Sequence, residues 1–148
     1  MTNYIGTYTA KVDDKGRMVI PSQLKNQTVT DAPLRFVVKR GFLSDCLDIY
    51  PYEEWEKEAD MIKSKLNFFR PEHIRFWREY MNERAIIEPD VKLGRISIPK
   101  PLLDSIGIRK EVIFFGVGFK IELWDREKFE SSKLDEKAYT EIASQILF

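Results

Sequence analysis

Lys15-Gly16-Arg17-Met18-Val19-Ile20-Pro21 and Leu93-Gly94-Arg95-Ile96-Ser97-Ile98-Pro99 are two versions of one segment, 78 residues apart. Each runs glycine, arginine, an apolar residue, a variable one, isoleucine and proline, and each has a leucine three residues on, Leu24 and Leu102. A second echo follows at a spacing of 74: Leu47-Asp48-Ile49-Tyr50 with Trp55, against Ile121-Glu122-Leu123-Trp124 with Phe129. Two ordered echoes at nearly one spacing identify a duplication whose second copy has lost a few loop residues. Half of a 148-residue chain can hardly bury a core alone, so the copies are expected to share one or exchange elements.

The local pattern around the segment is that of strands. Tyr8, Ala10 and Val12 alternate with polar residues, and Met18 and Ile20 resume the alternation after Asp13-Asp14-Lys15-Gly16. This predicts two half-buried strands joined by a tight turn. Gly16 supplies the positive φ such a turn requires, and Asp13 or Asp14 can accept hydrogen bonds from the turn's own amides. Pro21 has no N–H for a sheet ladder and ends the second strand. A short helical turn is expected next, through Leu24 in one copy and Leu102–Ile106 in the other, with Gly107 as its stop. Further strands are predicted at Leu34–Lys39, Cys46–Tyr50, Val112–Phe115 and Phe119–Trp124.

Helical spacing appears between the copies. Glu53–Leu66 aligns Trp55, Ala59, Ile62 and Leu66, and Pro71–Ala85 aligns Ile74, Trp77, Met81 and Ala85, with Pro71 suited to a first turn. A last helix over Glu136–Leu147 presents Ala138, Ile142 and Ile146. The predicted class is α+β, mainly β. Residues 1–52 form a first half, 53–86 a helical insert, and 87–148 a second half with a C-terminal helix. Trp55, Phe68, Phe69, Phe76 and Trp77 exceed what a small monomer covers, which predicts a closed cyclic oligomer.

Composition narrows the function by exclusion. Lys plus Arg and Asp plus Glu both number 24, so no strongly basic domain announces a nucleic-acid partner. The charge is uneven, however: residues 1–45 hold seven basic side chains against four acidic ones. An anionic partner would meet that third of the chain. Cys46 is the one cysteine, expected as a buried thiol, and His73 is the one histidine, expected as a surface or packing residue. No phosphate-binding glycine loop, metal-ligand spacing or nucleophile–base pair occurs, so no cofactor, metal, small-molecule ligand or enzymatic activity is expected. Neither a leader's apolar stretch nor a membrane-length run is present, and a cytoplasmic location is expected.

The remaining signal is Asp13-Asp14-Lys15-Gly16-Arg17. A sharp turn at Gly16 would project Lys15 and Arg17 from a hairpin narrow enough for a DNA groove. Arginine's planar fork can grip phosphate or the O6/N7 edge of guanine. Asp13 is expected to hold the turn, since a carboxylate facing phosphate would repel it.

With those residues in view, Val12–Pro21, Leu93–Pro99, Leu47–Pro51 and Ile121–Asp125 together resemble the MraZ family. The hairpin alone also resembles the wider AbrB-like swapped-hairpin DNA-binding domains. The resemblance covers nearly the whole chain. It implies two tandem swapped-hairpin β-barrel units in pseudo-twofold relation with peripheral helices, assembled into rings. It also implies a nucleoid-associated regulator that binds promoter direct repeats, usually repressing its own division and cell-wall gene cluster. The family's Asp-x-x-x-Arg motif falls on Asp13 and Arg17, with Lys15 and Gly16 between them. In the second half Arg95 and Gly94 remain, but Val91 stands four before Arg95, Asp90 one earlier still, and Leu93 replaces Lys15. The second hairpin is therefore expected to keep a scaffold role with little DNA contact. Two rivals stay open: an oligomeric scaffold without DNA binding, and an antitoxin-type regulator. The two full copies and the helical insert speak against the second.

Overall fold

The structure, a computed structural model, describes residues 2–30 and 32–148. The first copy supplies β1 (Tyr4–Lys11), β2 (Arg17–Val19), α1 (Ser22–Gln27), β3 (Phe36–Arg40) and β4 (Leu47–Pro51). Two helices follow, α2 (Tyr52–Ser64) and α3 (Pro71–Met81). The second copy supplies β5 (Ala85–Ile87), β6 (Arg95–Ser97), α4 (Lys100–Ser105), β7 (Glu111–Gly118), β8 (Ile121–Asp125) and α5 (Arg126–Ser131). Helix α6 (Glu136–Leu147) comes last.

The strands make a six-stranded antiparallel sheet, ordered β1-β7-β8-β4-β3-β5, and a two-stranded ribbon, β2-β6. Four of the six pairings join opposite copies; β3-β4 and β7-β8 pair within one. Ala10 faces Val112 and Tyr8 faces Phe114, while Ile87 faces Phe36 and Ala85 faces Val38, the same arrangement with the copies exchanged. At the two central crossings, Met18 faces Ile96 and Asp48 faces Glu122, so residues meet their own counterparts.

Two expectations are corrected here. Strands β1 and β2 do not form a ladder with each other; β1 pairs with β7 and β2 with β6. Nor do the copies make two β-barrel units, because the sheet stays open at β1 and β5 and no barrel closes. Both differences have one cause: neither copy has enough apolar surface for a core, and crossing over pools what they have. Met18, Ile20, Ile96 and Ile98 from the ribbon segments pack into one buried cluster with Phe36, Val38, Leu47, Ile49, Phe114 and Leu123. Each such side chain contributes about 1.5–3 kcal/mol on full burial.

The punctuation works as the residue types require. Pro21 and Pro99 stand at the N-caps of α1 and α4, and Leu24 and Leu102 are buried behind them. Gly107 adopts φ of 70°, and the Ile108 amide donates back to the Leu103 carbonyl at 3.1 Å, closing α4. The predicted helix over Pro71–Ala85 is too long: α3 ends at Met81, and Ala85 enters β5 opposite Val38. Periodicity extended it because an apolar residue at that spacing serves a strand equally well.

The outer face of the sheet carries buried charge. Lys120 Nζ lies 2.7 Å from Asp48 Oδ1 and 3.2 Å from Glu122, and Lys39 Nζ lies 3.3 Å from Glu58 on α2. Buried Cys46 joins Asp48 and Glu122 there, the Lys120 ammonium supplying the group's positive charge. Burial pushes its thiol well above the usual range, so it stays protonated. His73 accepts the Asn67 amide at Nδ1, 2.8 Å away, and closes the α2–α3 connection. Helices α3 and α6 have no buried residue, leaving Phe76, Ile142 and Ile146 open, and Phe69 in the connection before α3 is exposed as well. Among the described residues no helix is long and apolar enough to cross a membrane.

Candidate functional site

The site is built from the two turns that lead into β2 and β6. In the first, the Asp13 amide donates to the Arg17 carbonyl at 3.0 Å and the Gly16 amide to the Asp13 carbonyl at 3.1 Å. The Asp13 side chain closes the rest: Oδ1 accepts the Lys15 and Arg17 amides, each at 2.9 Å, and Oδ2 accepts Arg17 Nε–H at 2.7 Å. Gly16 sits at φ of 80° and is buried, its carbonyl accepting the Ile98 amide from the other copy at 3.0 Å.

The second turn repeats this plan with one more residue. The Asp90 amide donates to the Arg95 carbonyl at 3.0 Å, Gly94 donates to the Asp90 carbonyl at 3.1 Å, and Asp90 Oδ1 accepts the Leu93 amide at 2.7 Å. Gly94 has φ of 72°, and its carbonyl accepts the Ile20 amide at 3.0 Å. Arg95 Nε lies 3.8 Å from Asp90 Oδ2, a looser version of the Arg17 pair. The missing aspartate is thus a misreading of turn length, and is corrected: Asp90, not Val91, is the counterpart of Asp13. Val91 points into solvent and is 99% exposed. The residue that strict motif spacing overlooked was visible one place upstream.

Backbone amides hold both carboxyls below the usual carboxylate range. The Arg17 amide is the largest influence on Asp13, and the Leu93 amide on Asp90. A group whose folded-state pKa is depressed stabilises above its unfolded value and loses that effect as pH falls through the folded one. The first turn is therefore expected to stay closed at pH of about 4, where an ordinary aspartate is half protonated. Carboxyl-detected NMR should place the Asp13 midpoint below the value of about 3.9 for an unperturbed aspartate. A midpoint at that value would mean that the amides do not hold Asp13 in solution.

Pairing of β2 with β6 places both arginines on one face. Arg17 is opposite Ser97 and Arg95 opposite Val19, so the two are diagonal neighbours, about 7–8 Å apart along the ribbon. Met18 and Ile96, the residues that follow each arginine, point the other way and are buried. Lys11, Arg17, Val19 and Arg95 line a shallow depression on this face, and Lys15 is exposed at the first turn. The Arg17–Asp13 pair is near half exposed, so its contribution to stability is small and its effect is orientation. Asp13 engages Nε, leaving the two Nη groups of Arg17 without a hydrogen bond among the described residues. That is the end of the fork that can meet two acceptors at once.

Comparison with known proteins agrees with the reading of a duplicated chain. The family model described as "MraZ protein, putative antitoxin-like" matches residues 4–79 and 85–145. The protein named Transcriptional regulator MraZ from Bacteroides fragilis is 34% identical over 147 residues, covering 99% of this chain and 92% of its own length. Its namesake from Christiangramia forsetii is 35% identical, covering 99% and 94%. The one from Heliobacterium modesticaldum is 34% identical, covering 97% and 96%. With both copies matched and the two turns conforming to one plan, the chain belongs to the MraZ family.

Proposed function

We propose that this chain is a DNA-binding transcription regulator that meets duplex DNA with the β2-β6 ribbon. One observation carries the reading. Arg17 and Arg95 stand on one solvent-facing surface, each beside a carboxylate at its Nε. Such an arginine is pre-oriented for end-on contact with guanine O6 and N7 or with phosphate. The names of the relatives support regulation of transcription. The finer reading is a sequence-specific repressor of the division and cell-wall gene cluster, cytoplasmic and nucleoid-associated, bound to promoter direct repeats.

The crossed pairing supports reading the core as a swapped-hairpin unit with pseudo-twofold relation, in which 1–52 and 87–148 are the halves and 53–86 the insert. The open apolar faces of α3 and α6 support a closed ring as the working form. A ring also answers the zero net charge. Several modest contacts on one assembly raise effective concentration on repeated sites, so a neutral subunit can bind tightly. The same open faces favour the rival scaffold reading, and salt separates the two.

The test is binding of the purified protein to its own upstream promoter duplex and to a scrambled one, across salt. The expected result is preference for the promoter and a steep linear fall of log affinity with log salt, close to 0.9 per phosphate contacted. Salt-independent or absent DNA binding by a well-folded oligomer would leave the scaffold reading standing.

A further inference from the structure

We infer that Lys25, carried on helix α1 of the first copy, is an anion-contacting residue of the second hairpin; this rests on the DNA-binding reading above. Apart from turn length, the two hairpins differ in the residue that precedes the glycine. Lys15 donates its amide to Asp13 in the first turn, and Leu93 fills the same role toward Asp90 in the second. The second hairpin thus presents an exposed leucine where the first presents a lysine, and its own Lys92 stands one residue farther from the Gly94-Arg95 step.

The crossed topology alters what lies next to each turn. A side chain begun at Gly16 would meet Leu103 Cδ1 of α4 at 3.2 Å, and one begun at Gly94 would meet Lys25 Nζ at 3.2 Å. Leu103 and Lys25 are separated by the same 78 residues as the two Gly-Arg steps, so they are counterparts in the repeat. The first hairpin therefore has lysine just before its glycine and leucine against that glycine, and the second has leucine before its glycine and lysine against it. Each glycine thus has one lysine next to it, in sequence at Gly16 and in space at Gly94.

Lys25 has no acidic partner within ion-pair distance and no side-chain hydrogen bond among the described residues, although it is half-buried. It sits in the last turn of α1, where the helix dipole favours a cation. An ammonium beside an arginine-bearing turn, with no acidic partner among the described residues, is placed to receive phosphate oxygen. The symmetry of function is thus restored by a residue from the opposite copy, because β2 and β6 crossed over.

The experiment measures binding to the scrambled duplex across salt for the full chain and its variants. Lys25→Gln should lower the slope of log affinity against log salt by about one unit for each second hairpin engaged, as Lys15→Gln should for the first. Lys25→Arg should keep the slope, and adding Leu93→Lys to Lys25→Gln should restore it. If Lys25→Gln leaves the slope unchanged while Lys15→Gln or Lys92→Gln lowers it, the inference is overturned and the DNA reading survives. Loss of fold in Lys25→Gln, seen by circular dichroism and spared in Lys25→Arg, would make Lys25 a structural cation and also overturn it. If Arg17→Ala and Lys15→Gln change nothing either, the DNA reading itself falls.

Discussion

Arg17→Ala is expected to abolish preference for the promoter repeats while leaving a folded protein of unchanged oligomeric state. The side chain is near half exposed and contributes to the hairpin only through its ion pair with Asp13, so little stability is lost with it. What disappears is an arginine whose Nε is already engaged at 2.7 Å and whose Nη groups have no hydrogen bond among the described residues. A bidentate arginine–guanine contact is worth about 1–3 kcal/mol, a loss of roughly 5–150-fold for each subunit engaged. Several engaged subunits compound that loss, because each contact raises the effective concentration of the next. Lys15→Ala should instead weaken promoter and scrambled duplex alike. Arg95→Ala is expected to cost less than Arg17→Ala, since Arg95 lies 3.8 Å from Asp90 and is held more loosely. Affinities for both duplexes across salt, with circular dichroism and light scattering as controls, decide the matter. A folded Arg17→Ala oligomer that still binds its promoter like the parent would remove Arg17 from the site.

Gly16→Ala is expected to destabilise the whole protein, and far more than Gly94→Ala. Both glycines have positive φ, 80° and 72°, so any side chain pays about 1–3 kcal/mol in backbone conformation at either place. Their surroundings differ. A Cβ at Gly16 would stand 2.5 Å from the Ile98 carbonyl oxygen, which belongs to the crossing between copies and cannot move without breaking the Ile98–Gly16 hydrogen bond. A Cβ at Gly94 would crowd the end of the Lys25 side chain at 3.2 Å, which can swing away, and would meet Ile20 at ordinary contact distances of 3.6 and 3.7 Å. Overpacking against backbone adds about 1–3 kcal/mol, so Gly16→Ala should cost roughly 2–6 kcal/mol. At about 2–4 °C per kcal/mol, its Tm should fall by roughly 4–24 °C, and that of Gly94→Ala by only the conformational part. Thermal unfolding followed by circular dichroism checks this. Equal losses at the two positions would show that the close approach to Ile98 is not maintained in solution.

Side-chain chemistry at short range was legible without coordinates. Alternation of Tyr8, Ala10, Val12, Met18 and Ile20 marked strand faces, and Gly16 and Asp13 marked a turn, because these properties belong to a few adjacent residues. Helix α6 was bounded at Glu136–Leu147 as expected, since Asp135 caps it and nothing nearby competes. The duplication was legible as well, and with it the need for a shared core. Legibility failed where a residue's role depends on what faces it. Ala85 fits a helix stripe and a strand equally, and only pairing with Val38 decides between them. Asp90 was set aside because a motif counts residues, whereas a turn needs only a carboxylate within reach of its amides; one extra residue is absorbed by the loop.

The sequence by itself determined that this protein is a doubled strand-rich unit with a glycine–arginine turn in each half, and that Asp13 would fasten the first of them. Those facts follow from covalent geometry and local hydrogen bonding, which do not need the rest of the chain. Only the tertiary structure decided which strand each turn leads into, that Arg17 and Arg95 share one face, and that Lys25 lies beside Gly94. The reason is that neither copy can fill a core alone: the apolar faces of β2 and β6 are buried only by crossing over, and crossing over brings residues 78 positions apart into one site.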